Sequence, residues 1–198
     1  MLKKCSGEFM SPPKEELYIF LSEVPGPLAA DRVVGAGPVP LTFSHRLMAQ
    51  EPIRTKGGTV RIVDSSNFPA AKMIAAGLVE VEPGGMRELH WHPNSDELQY
   101  YIEGESRMTV YASDSAAQTF DYQAGDVGYV PKSMPHYIEN TGTTKMRYLE
   151  LWQSDHFADV SLAQWLAFTP YELVRAHLHI DKSVLSKVST QKTPVVGA

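Results

Sequence analysis

Gly84-Gly85-Met86-Arg87-Glu88-Leu89-His90-Trp91-His92-Pro93-Asn94-Ser95-Asp96-Glu97-Leu98-Gln99-Tyr100-Tyr101-Ile102-Glu103-Gly104 is the stretch on which the reading of this chain turns. His90 and His92 are two residues apart, and alternate side chains of an extended strand share a face, so both imidazoles can point at one spot. A helix would splay them. After the turn-rich Pro93-Asn94-Ser95-Asp96, the run Glu97 to Ile102 resumes a strand, which brings the Glu97 carboxylate back beside the histidines and offers three ligands from one hairpin. The fourth candidate is His136, at the start of a strand that follows Gly125-Asp126-Val127-Gly128-Tyr129-Val130-Pro131. Three imidazoles and one carboxylate form a nitrogen and oxygen set that suits Mn, Fe, Ni, Co or Zn and leaves room for substrate on an octahedral metal. Taken singly, a histidine is more often a surface or core residue than a ligand. The joint spacing marks the set.

Outward from this stretch the texture is of short strands between turn signals. Leu41 to Phe43, Gly58 to Val63 and Ile74 to Val81 precede it, and Met108 to Tyr111, Thr119 to Tyr122, Val127 to Val130, His136 to Asn140 and Met146 to Trp152 follow. Such spacing predicts an all-β, antiparallel jelly-roll barrel over residues 41–158. Residues 1–40, rich in proline and glycine with one apolar patch at Leu17 to Leu21, read as an extended N-terminal arm, suited to a subunit contact or to packing on its own barrel. Residues 159–198 read as two or three short helices and a tail. Leu162, Trp165 and Leu166 share one helical face, and Thr169-Pro170-Tyr171-Glu172 matches a capping box opening a helix over Tyr171 to His177. A third short helix is expected over Asp181 to Lys187, before an extended tail from Val188.

A chain of 198 residues with 43% hydrophobic residues can bury a core without staples. Its net charge of -5 and scattered lysines and arginines give no footprint for nucleic acid. The single cysteine, Cys5, cannot form an internal disulfide, and no apolar run has the length of a membrane span. A cytoplasmic protein, with neither nucleic acid nor membrane as partner, is the expectation.

From Gly84 the chain reads G-x5-H-x-H-x4-E-x6-G, and from Gly125 it reads G-x5-P-x-S-x2-H-x3-N. Together these resemble the two motifs of the cupin superfamily, with Ser133 standing where glycine is usual. Pro83 to Pro93, Phe120 to Pro131 and Asp155 to Leu166 further resemble the oxalate decarboxylase family, and the likeness to the C-terminal half of that two-barrel enzyme runs from about Glu15 onward. The resemblance implies a manganese site on His90, His92, Glu97 and His136, with other divalent metals left open by the ligand set. It further implies cleavage of oxalate to carbon dioxide and formate with dioxygen as cofactor, and a homo-oligomer of barrels.

It also assigns two catalytic candidates. Arg87 matches the substrate-orienting arginine, and a guanidinium can grip a carboxylate through two hydrogen bonds. Glu150, in the last strand, matches a glutamate near the metal and is the candidate proton donor. The alternatives are a surface ion-pair partner for Arg87 and a structural glutamate paired to an arginine for Glu150. Two departures stand out. Where the family's more active barrel carries a lid with a Ser-Glu-Asn-Ser sequence, this chain reads Ser154-Asp155-His156-Phe157-Ala158-Asp159 without glutamate, and Phe157 replaces a tyrosine. They keep open a metal-bound but catalytically weak barrel, and an oxidase outcome yielding hydrogen peroxide.

Overall fold

Period-two alternation dominates the chain, and the strands follow it closely. The computed structural model describes residues 37–197 together with Gly26, Pro27 and Gly35. The apolar patch at Leu17 to Leu21 and most of the arm lie outside the described residues. In chain order, the strands are β1 (Ile53–Thr55), β2 (Gly58–Val63), β3 (Ala75–Val81), β4 (Met86–Trp91), β5 (Glu97–Glu103), β6 (Glu105–Tyr111), β7 (Ala117–Gln123), β8 (Val127–Val130), β9 (His136–Asn140), β10 (Met146–Trp152) and β11 (Val160–Ser161). Three short helices follow, α1 (Leu162–Phe168), α2 (Tyr171–Leu178) and α3 (Lys182–Leu185), and then β12 (Val195–Val196). One sheet runs β1-β2-β3-β10-β5-β8 and the other β11-β4-β9-β6-β7, with β12 also on β4. All pairings are antiparallel.

Alternation sorts the interior into two ends. On β10, Met146, Tyr148, Glu150 and Trp152 are buried, and on β5, Glu97, Gln99 and Tyr101 are buried. The register sets Trp152 opposite Glu97 and Glu150 opposite Gln99. The apolar end gathers Val60, Val79, Val81, Tyr101, Met108, Val130, Ile138, Met146, Tyr148 and Val195 into one core. Each such side chain contributes on the order of 1.5–3 kcal/mol by leaving water. The polar end receives the candidate site.

Three sequence expectations change. Leu41 to Phe43 forms no strand, because the Thr42 hydroxyl bonds both the carbonyl and the amide of Ser44 and closes a local turn. The sheet starts instead at β1, joined to β2 by Lys56-Gly57. The capping box at Thr169 does not form. Pro170 caps α2, while the Thr169 hydroxyl turns back to the carbonyl of Trp165. Finally, β4 and β5 make no hairpin. They lie in opposite sheets, so the turn at Pro93 to Asp96 crosses the sandwich.

The tail beyond α3 returns to the sheet. β12 pairs with Met86 and Arg87 along the edge of β4 that β11 covers farther on at His90 and Trp91. A Cβ at Gly57 would fall 2.3 Å from the Val196 backbone, so only glycine there lets the tail lie against the β1-β2 turn.

Candidate metal centre

His90 comes from β4, His92 from just beyond its end, Glu97 from the start of β5 and His136 from the start of β9. One ligand atom from each lies within 4.8 Å of the others, and all four residues are buried. Glu97 Oε2 is 2.7 Å from His92 Nε2 and 3.2 Å from His136 Nε2. The spacing seen in the sequence thus brings the four together, although from two sheets rather than from one hairpin.

The imidazoles are set for coordination by their far nitrogens. The Nδ1 atoms of His90, His92 and His136 lie 2.6, 2.9 and 3.1 Å from the carbonyls of Glu88, Ala158 and Met134. A carbonyl can only accept, so each Nδ1 carries the proton and each Nε2 keeps a lone pair. The three Nε2 atoms and Glu97 Oε2 are buried without a hydrogen-bond partner among the described residues. Four orphaned acceptors around one point repel one another and fit a divalent cation.

Charge at the site points the same way. Burial, with the Arg87 charge next, pushes His90 well below the usual imidazole range and keeps it a neutral donor. Burial would raise Glu97, but the adjacent His136 and His92 outweigh it and hold the carboxyl far below its ordinary value. Burial would lower His92, and Glu97 at 2.7 Å reverses that and raises it. Glu97 therefore calls for positive charge beside it, from a proton or from a metal.

Gln99 braces Glu97. Its amide Nε2 donates to Glu97 Oε1 at 2.8 Å, and its Oε1 accepts from the Tyr101 hydroxyl at 2.6 Å. The spacing Glu97, Gln99, Tyr101 puts all three on the inner face of one strand, so the strand period alone places Gln99 beside Glu97. The rings of Trp152 and Phe157 pack at a tilt with centroids 4.8 Å apart and lie 5.2 and 5.8 Å from the His92 ring, so aromatic rings cover this candidate ligand. The indole Nε1 of Trp152 is buried without a partner among the described residues.

Arg87 and Glu150 meet each other across the interior. Both are buried, and Arg87 Nε lies 3.4 Å from Glu150 Oε1, which also accepts from the Tyr148 hydroxyl at 2.9 Å. Glu150 Oε2 has no partner among the described residues. Burial raises the Glu150 carboxyl above its ordinary value despite the nearby guanidinium, while Glu97 adds to the rise. Arg87 reaches this position by a bulge. Between Arg87 and His90 the chain takes three steps on β4 against two on β9, from Ile138 to His136. Without the extra residue, the odd spacing would turn Arg87 to the face opposite His90.

The Ser154 to Asp159 segment is tied to the barrel. Ala158 orients His92, and Asp159 Oδ2 takes Arg87 Nη2 at 2.9 Å. His156 pairs with Asp64 at 3.1 Å, and the Phe157 amide donates to the same carboxylate. His156 and Asp155 are exposed, and His156 engages Asp64 rather than any of the four ligands. Asp159 and Lys192, both beside Arg87 or its partners, carry no local sequence signal.

The cupin family model matches residues 45–185. The chain is 55% identical over 190 residues, 96% of its length, to the oxalate decarboxylase OxdC of Bacillus subtilis, of which it covers 49%. A probable oxalate decarboxylase of Arthroderma benhamiae is 48% identical over 142 residues, 71% of this chain and 35% of that protein. A solved structure of the Bacillus subtilis oxalate decarboxylase, studied for its Mn(II) centres, superposes with a TM-score of 0.86 at 55% identity, covering 90% of this chain and 48% of that one. The chain thus spans about half the length of its bacterial relative. The family pattern runs through both sheets that supply the four ligand atoms, and this chain belongs to the cupin family.

Proposed function

We propose that this chain is a manganese cupin that decarboxylates oxalate to formate and carbon dioxide, with dioxygen as cofactor. The buried Arg87-Glu150 pair next to four convergent ligand atoms carries the reading. The 55% identity to an oxalate decarboxylase supports it, as do the Mn(II) centres of that relative. His90, His92, Glu97 and His136 would hold the metal, which when bound supplies a Lewis acid and redox partner for one carboxylate of the substrate.

Arg87 has three N–H groups committed, to Glu150, Asp159 and the Pro194 carbonyl. A guanidinium carries five donors, so two remain to hold and polarise the second carboxylate of oxalate. When the carbon–carbon bond breaks, one half leaves as carbon dioxide and the other needs a proton on carbon to become formate. Glu150, its carboxyl raised by burial, holds that proton on Oε2, the oxygen without a protein partner. Trp152 and Phe157 keep water from the same space.

A weakly catalytic barrel, or an oxidase releasing peroxide, is the second reading. It draws on the missing lid glutamate between Ser154 and Asp159 and on the ties that hold this segment. Homo-oligomerisation goes with either reading and is supported by the outward face of β5 and β8, where Leu98, Tyr100, Ile102, Val127 and Tyr129 are exposed. The lone cysteine supports a reducing, cytoplasmic setting. Among the described residues, no helix is long and apolar enough to cross a membrane.

The test is formate and peroxide measured together, from oxalate and manganese-loaded protein in air at mildly acidic pH. Formate without peroxide is expected. Peroxide in its place would establish the oxidase, and neither product with metal bound would establish the weak barrel. In Arg87→Ala, turnover should be lost with manganese retained; surviving turnover would remove Arg87 from its assigned role.

A further inference from the structure

Arg87 is not held by its own sheet alone. Three carboxylates surround the guanidinium: Asp159 at 2.9 Å, Glu150 at 3.4 Å and Glu88 at 3.7 Å. With Glu150 holding its proton, the one buried cation still faces two buried anions, Asp159 and Glu88, and an uncompensated buried charge is costly. The second cation comes from the C-terminal tail. Lys192 Nζ lies 2.6 Å from Glu88 Oε1 and 2.8 Å from Asp159 Oδ2, the oxygen that Arg87 also uses. Glu88 Oε2 is taken by the Ser161 hydroxyl at 2.6 Å.

The tail reaches this place on anchors of its own. Val195 is fully buried in the core and pairs with Arg87 along β4, and its carbonyl accepts from the Thr55 hydroxyl at 2.6 Å. The Pro194 carbonyl accepts from both Arg87 Nη1 and the Glu88 amide. Lys192 is thus delivered by a segment whose attachment does not depend on its ammonium.

We propose that Lys192 is a positioning residue for substrate binding: by sharing the carboxylates of Glu88 and Asp159, it keeps the Arg87 guanidinium free to take an oxalate carboxylate. The inference rests on the role given to Arg87 above. With Lys192 in place, the Asp159 charge is divided between two cations. Without it, Asp159 and Glu88 turn their full charge on Arg87, and their field opposes the entry of a dianion. The loss falls on substrate affinity, because Lys192 itself touches none of the reacting atoms.

The experiment compares the full chain with Lys192→Met, Lys192→Gln, Lys192→Arg and Arg87→Ala, all loaded with manganese. Oxalate binding is measured by calorimetry without dioxygen, and KM and kcat are measured in air. Both neutral variants should bind oxalate about tenfold more weakly, the scale of one lost charge-assisted contact. KM should rise in proportion, with kcat little changed, and Lys192→Arg should restore affinity because a guanidinium can also bridge two carboxylates. Thermal unfolding of Lys192→Arg should stay close to the parent, while both neutral variants should unfold at lower temperature but remain folded, since two buried carboxylates lose a cation and Val195 still anchors the tail. Unchanged affinity in the neutral variants, beside a large loss in Arg87→Ala, would overturn the role of Lys192 alone. A drop in kcat without a change in affinity would overturn it too. If Arg87→Ala binds oxalate as the parent does, the role of Arg87 fails first, and the inference with it.

Discussion

The three candidate ligand histidines share one device, an Nδ1 proton given to a backbone carbonyl so that Nε2 is left with a lone pair. His92 is the informative one to remove, since Glu97 lies 2.7 Å from it and loses both a partner and a fellow ligand. His92→Ala should lose bound manganese, measured by elemental analysis after dialysis. Stoichiometric metal in the variant would refute the four-residue set. Ser133 is informative in another way. It stands where the motif usually has glycine, and its φ is 64°, in the left-handed region that a side chain resists. The loop holds it there through its amide, which donates to the carbonyl of His92 at 2.9 Å. Ser133→Gly should raise stability by about 1 kcal/mol in denaturant unfolding, the penalty of a left-handed side chain relieved. No gain would mean that the loop tolerates serine without strain.

At the level of elements, the site is held by strand pairs rather than by single residues. β8 lies beside β5 with Gly128 opposite Gln99, and a Cβ at Gly128 would come within 2.8 Å of Gln99 Oε1. That oxygen cannot retreat freely, because Tyr101 donates to it and the other end of the amide holds Glu97. Gly128→Val should therefore weaken manganese binding roughly tenfold or more, as loss of an outer hydrogen-bond partner does elsewhere. A competition titration with a chelator reads this directly, and unchanged affinity would show that Gln99 does not set the orientation of Glu97. The bulge in β4 acts at the same scale. It brings Arg87 to the interior, and the tail strand β12 then lies along that edge and supplies a carbonyl to the guanidinium.

Across the whole molecule, buried carboxylates tie the loops to the barrel and link stability to pH. Burial would raise Asp64, but hydrogen bonds from Ser66 and Phe157 and the His156 charge hold it below its ordinary value of 3.8. Burial would also raise Glu80, and Thr59, Arg147 and Lys145 hold it below 4.5. A carboxyl lowered in the folded state binds protons more readily when unfolded. Its contribution is complete above the unfolded value and is lost as pH falls through the lowered folded value. Stability should therefore decline below about pH 4.5 on acidification. Asp64→Asn should be less stable than the parent at pH 7, with the gap narrowing toward about pH 3, as read by denaturant unfolding across that range. A gap that stays constant would show that Asp64 acts by shape rather than by charge.

His90, His92, Glu97 and His136 were legible in the sequence because their signal is local: strand alternation and the distance from glycine to ligand are written along the chain. For the same reason, most strands and all three helices could be read from periodicity and turn residues. The deceptive places were those where a side chain found a closer partner than the ladder or the helix end offered, as Thr42 and Thr169 did. That Glu97 faces the histidines from the opposite sheet was decided only in three dimensions, since a turn of given sequence can fold back or cross over. The surroundings of Arg87 were decided there as well. Its partners Glu150 and Pro194 lie 63 and 107 residues away, and they meet it through register, a single bulge and the return of the tail. Such contacts have no period along the chain, and only the packed barrel brings them within the reach of one guanidinium.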